Sequence, residues 1–300
     1  MTLTARVSSA KAVVRPRGRP LIRPRKLLAS ISIHVPLMIC AITMLFPLLW
    51  MLSTALKHPG KQFAFPPQLI PNPIYLKNFT ELFRLAPMGY YLFNSTKIAV
   101  LSTIGVTLSS SLAAFAFARM RFRGREALFA ILLATMMIPG QVTIIPTFVI
   151  IRGLGWIDNH AALIVPSFFG GAFNVFLLRQ FYLTIPQDLI DSAKMDGAGW
   201  VRIFWSLIIP LGMPALTTVA IFNFLWAWND LFGPLIYLNS QKKMTLALGI
   251  TMLRGRSGSG GGHWGVIMAG SLLGVLPMLV LYFIGQKYFV QGLARTGLKG

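Results

Sequence analysis

Residues 184–211 read TIPQDLIDSAKMDGAGWVRIFWSLIIPL, a long amphipathic segment in a chain otherwise dominated by apolar runs. Thr184 and Gln187 have capping-box spacing, and Pro186 suits a first helical turn. Leu189, Ile190 and Ala193 fall on one helical face, with Asp188, Asp191 and Lys194 on the other. Gly197 is placed to end that helix in the left-handed conformation. A second helix is expected after Gly199, with Trp200, Ile203, Phe204 and Leu207 sharing a face, and Pro210 opens an apolar run. The pattern predicts a helix–turn–helix lying flat on a membrane and feeding a membrane-spanning helix.

The rest of the chain agrees with a membrane setting. Of 300 residues, 55% are hydrophobic and 12% charged, against about 25% charged in a soluble domain. Apolar runs of about 20 residues mark spans, and they are expected near 28–52, 95–117, 128–150, 161–178, 206–228 and 266–285. The second is rich in small residues such as Ser102, Gly105, Ser109, Ser110, Ser111, Ala113 and Ala114, which permit close helix contact. The third contains Pro139-Gly140 and Pro146, breakers that make 139–146 a candidate pathway lining, with a simple kink as the alternative. A polar, proline-bearing loop over 57–93 should carry a short helix near Lys77–Arg84. The loop 231–262 holds a flexible glycine-rich run.

The net charge of +21 does not point to nucleic acid, because the basic residues flank the spans. Eighteen of the 28 basic residues fall on one side if both termini are cytoplasmic, including the arm 1–27 and Arg119, Arg121, Arg123 and Arg125. That bias places residues 184–205 in the cytoplasm. The arm, with Pro16 and Pro20, is expected to be disordered.

Catalytic and metal chemistry have no residues to stand on. The seven acids sit at span edges or in loops, where an ion-coupled carrier would need them inside spans. The four histidines lack ligand spacing, Cys40 is the single cysteine, and no cofactor is expected. Gly292 and Gly297 before Lys299 do not make a phosphate-binding loop, since the lysine does not follow the second glycine directly. Phe222, Asn223, Trp226, Trp228, Asn229 and Asp230 combine stacking, amide and acid groups, as a sugar pathway requires. An interfacial aromatic belt with a helix cap explains them as well.

Asp191-Ser192-Ala193-x-x-Asp196-Gly197-Ala198, followed by Phe204 and Pro210, resembles the Glu-Ala-Ala-x-x-Asp-Gly-Ala loop of ABC importer permeases. Asp191 and Ser192 stand where that family has Glu and Ala. FAFPPQL with YLKNFTELF resembles the first external loop of carbohydrate-type permeases, and the tail QKYFVQGLARTGLKG resembles the end of the smaller permease of maltose-type sugar importers. The resemblance covers roughly 28–300. It implies an all-α membrane protein with six transmembrane helices and a cytoplasmic coupling helix–turn–helix between spans four and five. By the same resemblance it implies carbohydrate as substrate, a bilayer of a prokaryotic cell as its site, and no ATPase activity of its own. It further implies a second homologous permease, two ATP-binding subunits and an extracytoplasmic solute-binding protein as partners. Asp191, Ala193, Asp196, Gly197, Ala198, Phe204 and Pro210 would then serve coupling. A secondary carrier and a non-transporting assembly protein are the competing classes.

Overall fold

The computed structural model describes the backbone of residues 24–256 and 263–297, and the side chains of 32–255 and 263–286. Most of the basic arm, the glycine-rich run from 257 and the last three residues lie outside the described residues. Every described element is helical. The chain divides into two units, Met1–Leu49 and Trp50–Gly300. In the first, the described part is helix α1 (Pro24–Ala55) up to Leu49. Its Ile33, Leu37, Ile42 and Met44 side chains are exposed, as befits a helix whose solvent is acyl chain.

Among the described residues, five helical stretches are long and apolar enough to cross a membrane: Ser32–Ala55, Met88–Arg119, Ala161–Leu183, Trp200–Asn229 and Trp264–Gln286. The span expected over 128–150, with its breakers at Pro139-Gly140, is two helices, α4 (Arg125–Thr135) and α5 (Gly140–Gly153), bent by 99°, and gives a sixth crossing if the pair is one span. Pro139 takes an extended ψ of 132° and stops the helix there.

The remaining elements follow in order. Helix α2 (Lys77–Leu85) is the short helix expected in the first loop, and α3 (Met88–Arg119) is longer than the span read from sequence. The fourth crossing is not one helix. It consists of α6 (Ala161–Ile164), a 3-10 turn at Val165–Phe169, a break at Gly170–Gly171, and α7 (Ala172–Leu183). Helices α8 (Gln187–Met195), α9 (Trp200–Ile203) and α10 (Ile209–Asn229) carry the amphipathic stretch into the fifth crossing. The loop after it holds α11 (Phe232–Tyr237) and α12 (Leu246–Arg256), and α13 (Trp264–Gly297) closes the described chain.

Among the described residues, two larger cores and one small cluster of Ile151, Ala162 and Tyr237 organise the second unit. One gathers Ala114, Phe115 and Ala118 of α3, Leu178 and Tyr182 of α7, Ile190 of α8, and Ala215, Leu216 and Val219 of α10. The other gathers Leu82, Tyr91 and Ala99 with Trp228, Leu246, Leu253 and Ala269. Where these cores lie between spans, close van der Waals packing rather than removal from water holds the helices together. The small residues of α3 act as expected: a Cβ on Gly105 would lie 2.6 Å from the Phe168 ring. Ser110 and Ser111 are wholly buried.

A polar clasp joins two loops beside the cluster of Ile151, Ala162 and Tyr237, where the Asp158 amide donates to the Tyr237 carbonyl at 2.7 Å. Asp158, at φ 55°, accepts from the Asn239 and Ser240 amides at 3.0 and 2.9 Å and from the Ser240 hydroxyl at 2.5 Å. Lys243 Nζ lies 3.0 Å from its carboxylate, and His160 Nε2–H donates to the Lys243 carbonyl at 2.8 Å. Partial burial pushes the Asp158 pKa up. The bonds from Ser240, Lys243 and Asn239 outweigh it and hold the carboxyl well below the usual carboxylate range.

Candidate functional site

Two sites emerge, at opposite ends of α7. The first is the turn between α8 and α9. Gly197 has φ +76°. The Gly197 amide donates to the Lys194 carbonyl at 2.9 Å and the Ala198 amide to the Ala193 carbonyl at 2.9 Å. That is the paired bonding of a Schellman motif, with glycine at the left-handed position. Ala193 and Ala198 pack on the first core, and Ile190, Ile203 and Phe204 are buried in it. Asp188, Asp191, Lys194, Met195 and Asp196 are exposed. Asp191 accepts from Gln187 Nε2 at 3.1 Å, and Lys194 lies 4.3 Å from the Trp200 ring centroid.

Several local expectations change here. There is no capping box: the Thr184 hydroxyl donates back to the Phe181 carbonyl at 2.7 Å, and α8 has no side-chain cap. Gln187 is engaged elsewhere, its Oε1 accepting from Arg119 Nη1 at 2.8 Å. Leu189 is 42% exposed rather than turned inward. The second helix is not separate from the span it feeds. Helix α9 runs through a π turn at Phe204–Ile208 directly into α10, giving one run over Trp200–Asn229. The π turn lies just before Pro210, whose ring clashes with the carbonyl four residues back in a regular helix.

The second site is a pair of adjoining cavities beside α10. One, of about 180 Å³, is lined by Ser102, Ser167, Asn223, Trp226 and Asp230 among others. The larger, of about 1160 Å³, adds Phe173, Asn174, Phe222, Asn229 and Phe232. Asn223, Trp226, Asn229 and Asp230, the four pathway candidates, thus come together. Trp226 is 81% exposed, so its ring faces open space. Asn223 accepts from Asn174 Nδ2 at 3.3 Å and donates to the Val219 carbonyl at 2.8 Å. Asn229 Nδ2 donates to the Leu225 carbonyl at 2.7 Å. Asp230 Oδ1 accepts from the Phe232 and Gly233 amides at 3.0 and 3.1 Å, an Asx turn that starts α11.

Trp228 is not part of the cavity; it is buried, with its indole N–H on the Gly274 carbonyl at 3.0 Å. Residues 139–146 line neither cavity. Asn174, Ser102 and Ser167 were not among the candidates. A lone amide or hydroxyl in an apolar run carries no periodic signal, and only helix packing brings these to Asn223. Among the described residues, no three His, Cys, Asp or Glu side chains come together as a metal would require.

Residues 105–295 match the family described as "Binding-protein-dependent transport system inner membrane component". Similar proteins include the sn-glycerol-3-phosphate transport system permease protein UgpE of Yersinia enterocolitica, 32% identical and spanning 88% of this chain and 95% of that one. The arabinooligosaccharides transport system permease protein AraQ of Bacillus subtilis is 31% identical, spanning 90% and 96%. A solved chain of a bacterial ABC transporter involved in the import of the acidic polysaccharide alginate superposes with a TM-score of 0.76, covering 90% of this chain and 100% of that one. At 23% identity that likeness concerns the fold alone. The chain therefore belongs to the binding-protein-dependent transport system inner membrane components, the permease subunits of ABC importers.

Proposed function

We propose that this permease carries a carbohydrate or a similarly hydroxylated solute. It would do so with a second homologous permease, two ATP-binding subunits and an extracytoplasmic solute-binding protein. The observation that carries the reading is the larger cavity. Three asparagines, a carboxylate and four aromatic rings meet there, a lining that pairs hydroxyl recognition with stacking on apolar faces. The cavity is not enclosed, and its Trp226 ring is exposed, as in half of a pathway shared between two subunits. Relatives named for glycerol phosphate and arabinooligosaccharides handle hydroxylated solutes. An ion-coupled carrier is less well supported: Asp230, the only acid lining these cavities, already holds two backbone amides.

In this reading both termini and the Gly197 turn face the cytoplasm. The exposed face of α8, with Asp191 and Asp196, meets the ATP-binding subunit, and Ala193, Ala198, Phe204 and Pro210 fix its posture. Closure of those subunits on ATP pushes the turn and opens the pathway to the other side.

The test is uptake of a panel of radiolabelled mono- and oligosaccharides by cells carrying the whole transporter. Losing the ring or the amide removes about 1 kcal/mol of solute contact, so Trp226→Ala or Asn223→Ala should lower uptake roughly fivefold while the complex still assembles. No uptake of any sugar, or unchanged uptake in both variants, would remove the support for this pathway.

A further inference from the structure

We propose that Arg119 is a positioning residue that makes α7 and α8 move as one body, so that a push on the turn reaches the cavity. The inference rests on the coupling role given above to the Gly197 turn.

The link between α7 and α8 is Thr184, Ile185 and Pro186. A short non-helical link is a hinge unless something spans it. The last carbonyls of a helix also lack intrahelical partners, and a cation there is favoured by the helix dipole. Arg119, the final residue of α3, meets both needs. Its Nε donates to the Tyr182 carbonyl at 3.1 Å, and Nη2 donates to the carbonyls of Tyr182 and Ile185. Its Nη1 donates to Gln187 Oε1 at 2.8 Å, and Gln187 Nε2 passes the chain on to Asp191 at 3.1 Å. One planar fork therefore grips the end of α7, the link, and the head of α8 together. A lysine, with a single point of charge, cannot hold all of these acceptors in fixed geometry.

The far end of α7 is tied to the cavity. Helix α7 has 12 residues, about 18 Å of length. At its start Asn174 meets Asn223 in the larger cavity, and Ser110 accepts from the Gly171 amide at 3.1 Å. Near its end the Tyr182 hydroxyl lies 2.7 Å from Ser111 Oγ in a fully buried contact. A rod fixed to α8 by Arg119 and ending on Asn223 transmits displacement; the same rod on a free hinge does not.

The experiment uses the complete transporter with its ATP-binding subunits, in which the chain carries Cys40→Ala and a reporter Leu231→Cys in the cavity lining. Maleimide labelling of the reporter is compared in nucleotide-free and vanadate-trapped complexes. ATP hydrolysis and co-purification of the ATP-binding subunits are measured in parallel. With Arg119 present, trapping should change the labelling rate by about tenfold, a coupling of ordinary size. Arg119→Gln should keep docking and hydrolysis while the change in labelling vanishes, and Arg119→Lys should restore it in part. Gln187→Ala, an exposed change that leaves the core alone, should reduce the change in the same direction and decides the matter if Arg119→Gln does not fold. A labelling change that persists in Arg119→Gln, or in Gln187→Ala when the former does not fold, overturns the proposal. So does a loss of docking in proportion to the loss of labelling. Failure of the coupling reading itself looks different, because it appears as undiminished docking when Gly197 is altered.

Discussion

Replacing Gly197 by valine should detach the ATP-binding subunits while leaving the spans in the membrane. At φ +76° an L-residue brings its Cβ against backbone, at roughly 1–2 kcal/mol, and a β-branched side chain costs more. Nothing lies within 4 Å of a Cβ built there, so the strain is in the backbone and not in a clash within the chain. The turn relieves it by giving up the paired bonds from the Gly197 and Ala198 amides, and the exposed face of α8 loses its angle. About 2 kcal/mol corresponds to a roughly thirtyfold weaker association. Uptake should fall with it, since insertion depends on apolar length and docking does not. Gly197→Asn separates the causes. Asparagine tolerates the left-handed region, so it should keep most docking if conformation governs, and lose as much as valine if space at the interface governs. Orientation is read in the same cells: a cysteine at 197, in a Cys40→Ala background, should resist an impermeant reagent added outside. Wild-type co-purification and uptake in Gly197→Val would falsify the coupling role.

The second large effect is expected at Gly249, in α12. A Cβ there would lie 2.2 and 2.3 Å from two atoms of the Tyr91 ring. Tyr91 is 2% exposed and belongs to the second core, so the ring has no room to retreat. Overpacking of this kind costs about 1–3 kcal/mol, and more where a rigid ring is the obstacle. Gly249→Val should therefore lower the midpoint of thermal unfolding in detergent by several degrees or abolish monodisperse protein, with Gly249→Ala acting in the same direction. Combining it with Tyr91→Ala should give a loss smaller than the sum of the two, because the added methyls fill space that the ring vacates. Strict additivity would mean that the two residues do not oppose one another.

The helical class, the crossings and the Gly197 turn were legible because each is written locally. Apolar length specifies a span, and a glycine between two amphipathic segments specifies a left-handed turn. The capping box at Thr184 and Gln187 was misread because Arg119, far off in sequence, takes the Gln187 carboxamide. Arg119 itself looked like one more charge marking the cytoplasmic side. Its local sequence, four arginines in seven residues, says nothing about which of them turns back onto a helix end. Pro139 and Gly140 announced a break in the third span, but the 99° bend depends on what each half packs against. The aromatic–amide cluster on α10 was visible as a set. Asn174, its partner on α7, was not, since only the packing of α7 on α10 gives that residue a meaning.

The clasp around Asp158 has a bearing on the surroundings this protein tolerates. In the proposed orientation it lies on the outward side, exposed to whatever acidity the medium has. A carboxyl held below its ordinary value of 3.8 contributes its stabilisation in full above that value, and loses it only as pH falls further, toward the folded pKa. Mild acidification therefore leaves the Asp158 bonds to Ser240 and Lys243 intact. The imidazole of His160 is the sensitive arm. Burial, the larger influence, pushes its pKa down against the pull of its bond to the Lys243 carbonyl. Its share of the stability is thus complete above the ordinary value of 6.5 and wanes as pH drops below it. Souring surroundings would therefore cost stability first by charging the partly buried His160 ring, while its N–H still reaches the Lys243 carbonyl and the aspartate side stays closed.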